Sequence, residues 1–284
     1  MPTSRRRSGI FLFLAVVAVV AGVTVAVWRG TGPLPDPPGC TAKVAGHTVD
    51  LEPDQAANAS LIAAVGVRRG LPARAVSIAL ATAYQESKIR NLTGGDRDSV
   101  GIFQQRPSQG WGTVAQISDE YYAINKFYDA LEKIHGYQTM RITEAAQKVQ
   151  RSAYPEAYEP HAPDARALAS ALTGYSPGGT FTCVVRAPKG HGTATATSAL
   201  LTKAYGGLDI ARTGSRQDLT VSVAAGQDGN REGWSVAEYL LAHAGNLEIT
   251  SVSFDGKTWR TGDDSEKGWV ASSAPATKVT VSLG

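Results

Sequence analysis

An acid closes an apolar stripe in the segment ATAYQESKIRNLTGGDRDSVGIFQQRP, residues 81–107. Glu86 follows Ala79 by two turns and lies within about 20° of it on a helical wheel, so its carboxyl ends the buried face of a helix. A carboxyl at such an edge loses hydration, which raises its pKa and keeps it protonated toward neutrality. In a cleft, a protonated carboxyl can supply the proton that a glycosidic oxygen needs as its bond to C1 breaks. Taken alone, Glu86 also reads as a helix-end residue held by Lys88 or Arg90. Asp96 and Asp98, flanking Arg97, come next. A glycoside hydrolase needs a second carboxylate as nucleophile or as base for water, and either Asp is a candidate. Gly-Asp-x-Asp-Ser is equally ordinary turn chemistry, with Asp side chains accepting from backbone amides. Phe103, Gln105, Arg106, Trp111, Tyr121 and Tyr122 add groups suited to a pyranose ring; Trp111, in a Gly-Trp-Gly loop, fits a stacking surface and a core position alike. Gln147 and Gln150 on a later helix fit the same cleft or plain surface.

Glu86-Ser87, followed by Gly101-Ile102-Phe103-Gln104, resembles the Glu-Ser and Gly-[Leu/Ile/Met]-[Met/Phe]-Gln motifs of the lysozyme-like superfamily, which contains soluble lytic transglycosylases and goose-type lysozymes. The resemblance covers about residues 50–180. It implies that Glu86 ends a helix in the cleft floor as the catalytic acid, that Ser87 orients it, and that Gln104 contacts substrate or carboxylate. The family's third motif is an Ala-Tyr-Asn-x-Gly turn whose Tyr hydrogen-bonds near the acid. That motif is not present as such; the nearest segment identified is Gly174-Tyr175-Ser176-Pro177-Gly178, which gives Tyr175 that role. The resemblance further implies a single-Glu mechanism. Glu86 protonates the glycosidic oxygen, then takes the proton of the substrate's own C6 hydroxyl, leaving a 1,6-anhydro sugar. The wider string GDRDSVGIFQQRPSQGWGT is similar to that of actinobacterial one-pass wall-associated proteins with this module. Two functions follow as expectations. One is a membrane-anchored, extracytoplasmic lytic transglycosylase or muramidase acting on the MurNAc-GlcNAc bond of peptidoglycan. The other is a non-catalytic peptidoglycan-binding or envelope-assembly protein that retains the fold.

The elements that must position these groups are legible from periodicity and punctuation. Pro53 at a first-turn position opens a helix to about Arg69, ended by Gly70. A second starts near Pro72 and carries Ala75, Val76, Ala79, Leu80 and Ala83 at helical spacing. Thr113 to Gln116 form a capping box, and Ile124, Phe127, Tyr128, Leu131 and Ile134 stripe a third helix from about Asp119. Thr143 caps a helix over 144–152, and 163–172 gives the last one before a Gly/Pro cluster. Residues 40–51 have room for a short strand or hairpin. The expected fold class is therefore an N-terminal transmembrane helix, a mainly-α lysozyme-like domain over 40–185, a Gly/Thr/Ala-rich linker over 186–207, and a small α+β domain over 208–284. In the last, 219–224 alternates like a strand, 233–244 is helical, and Asp255-Gly256 marks a hairpin. The stretches 233–239 and 251–259 resemble a C-terminal module of actinobacterial wall proteins, similar to zinc D,D-peptidases without their ligands, which implies wall binding or positioning. A plain packing domain fits as well.

Arg5, Arg6 and Arg7 precede residues 10–28, which carry no charge and would span about 29 Å as a helix, close to the ~30 Å hydrocarbon core. Residues 1–29 are thus expected to be a cytoplasmic tip and single-pass membrane anchor, with a cleaved signal peptide as the rival reading, followed by a Pro/Gly spacer over 30–39, with the rest outside the cell membrane. On that side Cys40 and Cys183, the chain's 2 cysteines, are expected to form a disulfide. A formal charge of +3 with scattered lysines and arginines speaks against a nucleic-acid partner. The histidines, His47, His135, His161, His191 and His243, lack paired ligand spacing, so no zinc and no other cofactor is expected.

Overall fold

The computed structural model describes residues 36–284 apart from 152, 153, 155, 177 and 214–217, together with Ala21, Thr24 and Val25. Residues Pro38–Gly284 form one compact unit. It begins with β1 (Gly39–Val44) and β2 (His47–Leu51), a hairpin, followed by α1 (Pro53–Arg68) and α2 (Ala73–Ser87). A long loop carrying one 3-10 turn leads to α3 (Val114–Ile117), α4 (Glu120–Leu131) and α5 (Ile142–Gln150). A second 3-10 turn (Glu159–His161) precedes α6 (Ala162–Leu172), β3 (Phe181–Val184) and α7 (Ala194–Tyr205). The chain ends with β4 (Asp209–Thr213), β5 (Asp218–Ser222), α8 (Gln227–Ala242), β6 (Ile249–Phe254), β7 (Lys257–Arg260), β8 (Val270–Ala271) and β9 (Lys278–Leu283).

The helices start where side chains can satisfy their first amides. Pro53 opens α1, and the Gln55 carboxamide accepts from the Glu52 amide at 2.9 Å. Thr113 and Gln116 bond reciprocally across the start of α3, and the Asp119 carboxylate accepts from Tyr122 N at 2.9 Å at the start of α4. Ala75, Ala79 and Ala83 of α2 are fully buried, and these small side chains let α2 lie close against α6.

Two sheets correct the mainly-α expectation. The first has strand order β2-β1-β3, all antiparallel. It frames the helices because Ala42, Val49, Leu51 and Phe181 point into the core. The second has order β4-β5-β9-β6-β7-β8, with β6 and β7 turning at Asp255-Gly256, Phe254 paired to Lys257. Cys40 and Cys183 face each other across β1 and β3 and form a disulfide.

No flexible linker separates the helical part from the second sheet. Within 186–207 lies α7, whose Thr193 cap accepts from Ala196 N at 3.2 Å. Trp259 Nε1 donates to the Cys183 carbonyl at 2.9 Å, Trp269 Nε1 to the Phe181 carbonyl at 2.9 Å, and Ser235 Oγ to the Leu172 carbonyl at 2.7 Å. Residues of both parts therefore share one core.

The membrane assignment is also corrected. The expected span over 10–28 lies outside the described residues except at Ala21, Thr24 and Val25. Among the described residues no helix is long and apolar enough to cross a membrane. The longest, α1 and α8, have 16 residues and rise about 24 Å, short of the ~30 Å hydrocarbon core.

Candidate active site

Glu86 occupies the last turn of α2. The helix ends one residue later, at Ser87, because Lys88 and Ile89 both take left-handed conformations, at φ 54° and 59°. For a β-branched residue this is an unusual backbone. It is held there by burial of Ile89 and by its amide returning to the Ala83 carbonyl at 2.9 Å. Strain of this kind gathers where a site must be held in one shape.

The carboxyl of Glu86 is mostly buried and meets two donors from distant parts of the chain. Tyr158 Oη donates to Oε1 at 2.8 Å, and the Gln150 carboxamide also hydrogen-bonds the carboxyl. Burial raises the Glu86 pKa above the usual carboxylate value, with the Gln150 and Tyr158 bonds pulling the other way. A position in the last helical turn acts in the same direction as burial, since the C-terminal end of the helix dipole disfavours an anion. Among the described residues no Lys or Arg forms an ion pair with the group. Arg90 is engaged by Glu52 at 2.9 Å and by Asp54, and Arg97 leans on Asp96 at 3.9 Å.

The Gly-Ile-Phe-Gln segment is clamped beside the acid. Ser87 Oγ donates to the Ile102 carbonyl at 2.7 Å and to the Ala83 carbonyl at 3.0 Å, and accepts from Arg90 N at 3.1 Å. Gln150 Nε2 donates to the Phe103 carbonyl at 2.8 Å, so one carboxamide ties the segment and the acid together. Phe103 is fully buried and stacks on Phe127 with ring centroids 4.4 Å apart. Gly101 takes φ 80°, and a Cβ there would come 2.7 Å from the Ile117 carbonyl oxygen, so a side chain would push the segment away.

The structure brings together some of the residues expected from sequence and separates others. Ser87 is a buried tie between α2 and the Gly-Ile-Phe-Gln segment. Gln104 is half-buried, and its amide closes its own turn on the Gly101 carbonyl at 3.1 Å. Its Oε1 fills the space that a Cβ of Gly95 would need. Gln105 faces the core, 1% exposed, with Nε2 donating to the Ala123 carbonyl at 3.2 Å. Trp111 is half-buried in the wall of a groove that also includes Gln150. Tyr175 is 56% exposed, and its ring lies under the Arg231 guanidinium at 4.5 Å; the phenol bonded to Glu86 is that of Tyr158. Asp98 accepts from Arg106 Nε at 2.7 Å, Ser108 N at 2.8 Å and Ser108 Oγ at 3.1 Å, and these donors hold its carboxyl well below the usual range. Asp96 is 94% exposed.

Tyr158 was missed in the sequence because Ala157-Tyr158 is followed by Glu159-Pro160 and by no glycine-rich turn. Tyr158 is 1% exposed and immediately precedes the 3-10 turn whose His161 Nε2 lies 3.0 Å from Gln85 Oε1 and whose ring stacks on Tyr84 at 5.0 Å. Burial lowers the His161 pKa, which favours the neutral ring. Among the described residues no group of three or more His, Cys, Asp or Glu side chains could hold a metal ion. The arrangement can therefore present one protonated carboxylic acid whose conjugate base already has two neutral donors. No protein-family model matches the chain, and no curated protein matches it.

Proposed function

We propose that the protein is a peptidoglycan glycosidase of the lytic transglycosylase type, cleaving the MurNAc-GlcNAc bond with Glu86 as general acid and then general base. The observation that carries this reading is the half-buried Glu86 carboxyl, its pKa raised by loss of hydration, with the Tyr158 phenol at 2.8 Å. In the first step Glu86 gives its proton to the glycosidic oxygen as positive charge develops at C1. The carboxylate left behind keeps the Tyr158 and Gln150 bonds, which favour the charged form. It then takes the proton of the C6 hydroxyl as that oxygen closes on C1, giving a 1,6-anhydro end.

Transglycosylation is favoured over hydrolysis by the state of the aspartates. Asp98 has its lone pairs committed to Arg106 and Ser108, and Asp96 stands exposed beside Arg97. Neither resembles a poised second carboxylate. The test is release of soluble fragments from purified peptidoglycan by the full chain. The wild type is expected to release them, Glu86→Gln to lose nearly all activity, and Asp96→Asn to retain it. A Glu86→Gln protein as active as wild type would refute the assignment.

A further inference from the structure

The surface carries a groove of about 440 Å³ whose walls include Trp111, Lys126, Lys133, Lys148, Gln150 and Arg151. Gln150 belongs both to this wall and to the hydrogen-bond shell of Glu86, so one side chain links the groove to the carboxyl. Its charge is one-sided. Among the described residues one acid lines it, Asp129, and it is already bonded by Arg69 Nη2 at 2.8 Å. Among the described residues none of the four cations has a carboxylate within ion-pair distance; Lys126 lies 5.5 Å above the Tyr122 ring instead. Lys133, Lys148 and Arg151 are exposed, and they converge from two sides, with Lys133 just past α4, Lys148 on α5 and Arg151 at its end.

Gathering like charges around a concavity costs stability through mutual repulsion, and the same field concentrates an anion there. Trp111 adds a ring face for a pyranose. We propose that this groove is the subsite that receives an anionic substituent of the glycan, a carboxylate or a phosphodiester, beside the bond at Glu86. The inference deepens the glycosidase reading and rests on it for the position of the scissile bond. It assigns Lys133, Lys148 and Arg151 to substrate selection, with Trp111 carrying the sugar ring to which the anion is attached.

Binding of soluble glycan strands to the full-length Glu86→Gln protein tests this without requiring turnover. The strands are used as prepared, after capping of their carboxyls with carbodiimide and methylamine, and after hydrofluoric acid stripping of phosphodiester-linked polymers. Capping is expected to weaken binding about tenfold, as is the combined change Lys133→Ala, Lys148→Ala and Arg151→Ala, and capping should have no further effect on that variant. Lys133→Arg with Lys148→Arg should bind like the parent, which separates charge from folding. Loss on stripping rather than capping would identify the anion as a phosphodiester. Equal affinity for all three preparations, no binding to any, or a triple variant that binds like the parent overturns the inference. Charge-dependent binding by a wild type that cleaves nothing would remove the reaction and leave the subsite standing.

Discussion

The phenol of Tyr158 donates to Glu86 Oε1 at 2.8 Å from 72 positions along the chain. It brings the 3-10 turn before α6 onto the end of α2, and it is a donor that favours the charged carboxyl inside a site whose burial disfavours it. Tyr158→Phe should therefore raise the Glu86 pKa further and move the alkaline limb of the pH–rate profile upward. The rate itself should fall about 10- to 100-fold, the size of one hydrogen bond to a charged group. Measuring kcat/KM against pH for both proteins checks the shift and the loss together.

Glu86 also makes stability depend on pH. Its folded pKa lies above the ordinary 4.5, so between that value and the folded pKa the folded state binds more protons than the unfolded one. Stability contributed by this group is then present at low pH and lost as pH rises through the window. Glu86→Gln removes the ionisation, so the variant should melt higher than wild type at neutral pH, with the gap narrowing below the ordinary value. Thermal melts across pH 3.5 to 8, read as the difference between the two proteins, provide the measurement.

Ser87 holds two elements together, and its removal should be felt in folding as well as rate. Ser87→Ala leaves the buried Ile102 carbonyl without its side-chain donor, at a cost of about 1 to 3 kcal/mol. Urea unfolding should show a lower midpoint with an unchanged slope.

The aspartates should affect the loop and not the product. Asp98→Asn weakens the clamp to Arg106 and Ser108, so limited proteolysis should cut within 94–110 faster than in wild type. Neither this change nor Asp96→Asn should alter whether the released ends are anhydro sugars.

The disulfide between Cys40 and Cys183 closes a loop of 143 residues. In the chain-entropy model that is worth up to about 5 kcal/mol. Cys40→Ser with Cys183→Ser should lower the denaturation midpoint accordingly, while activity at low temperature persists.

The positions of Glu86, Ser87 and the main helices were legible because each depends on local signals: an apolar period, a cap, or a Pro at a helix start. What escaped the sequence depended on partners far along the chain. Residues 189–200 read as a linker because they lack a large apolar stripe, yet they start α7, which buries Ala194 and Thr197 and, beyond that stretch, Leu201, Ala204 and Tyr205. The strand β3 is only 4 residues long and exists because β1 and the disulfide receive it. Gln105 follows Gln104 directly, but neighbouring residues in the turn point apart, which sends one toward the core and leaves the other half-exposed. Tyr158 lacked the glycine of the expected turn, and Tyr175, which has glycines around it, sits under Arg231 instead.

The most direct test of Glu86 as a transglycosylase acid is mass spectrometry of the fragments released from purified peptidoglycan by the full chain in ¹⁸O water. The account predicts fragments ending in 1,6-anhydro-MurNAc without incorporated ¹⁸O, formed by wild type and absent with Glu86→Gln. Reducing ends labelled with ¹⁸O, or anhydro fragments persisting in Glu86→Gln, would contradict it.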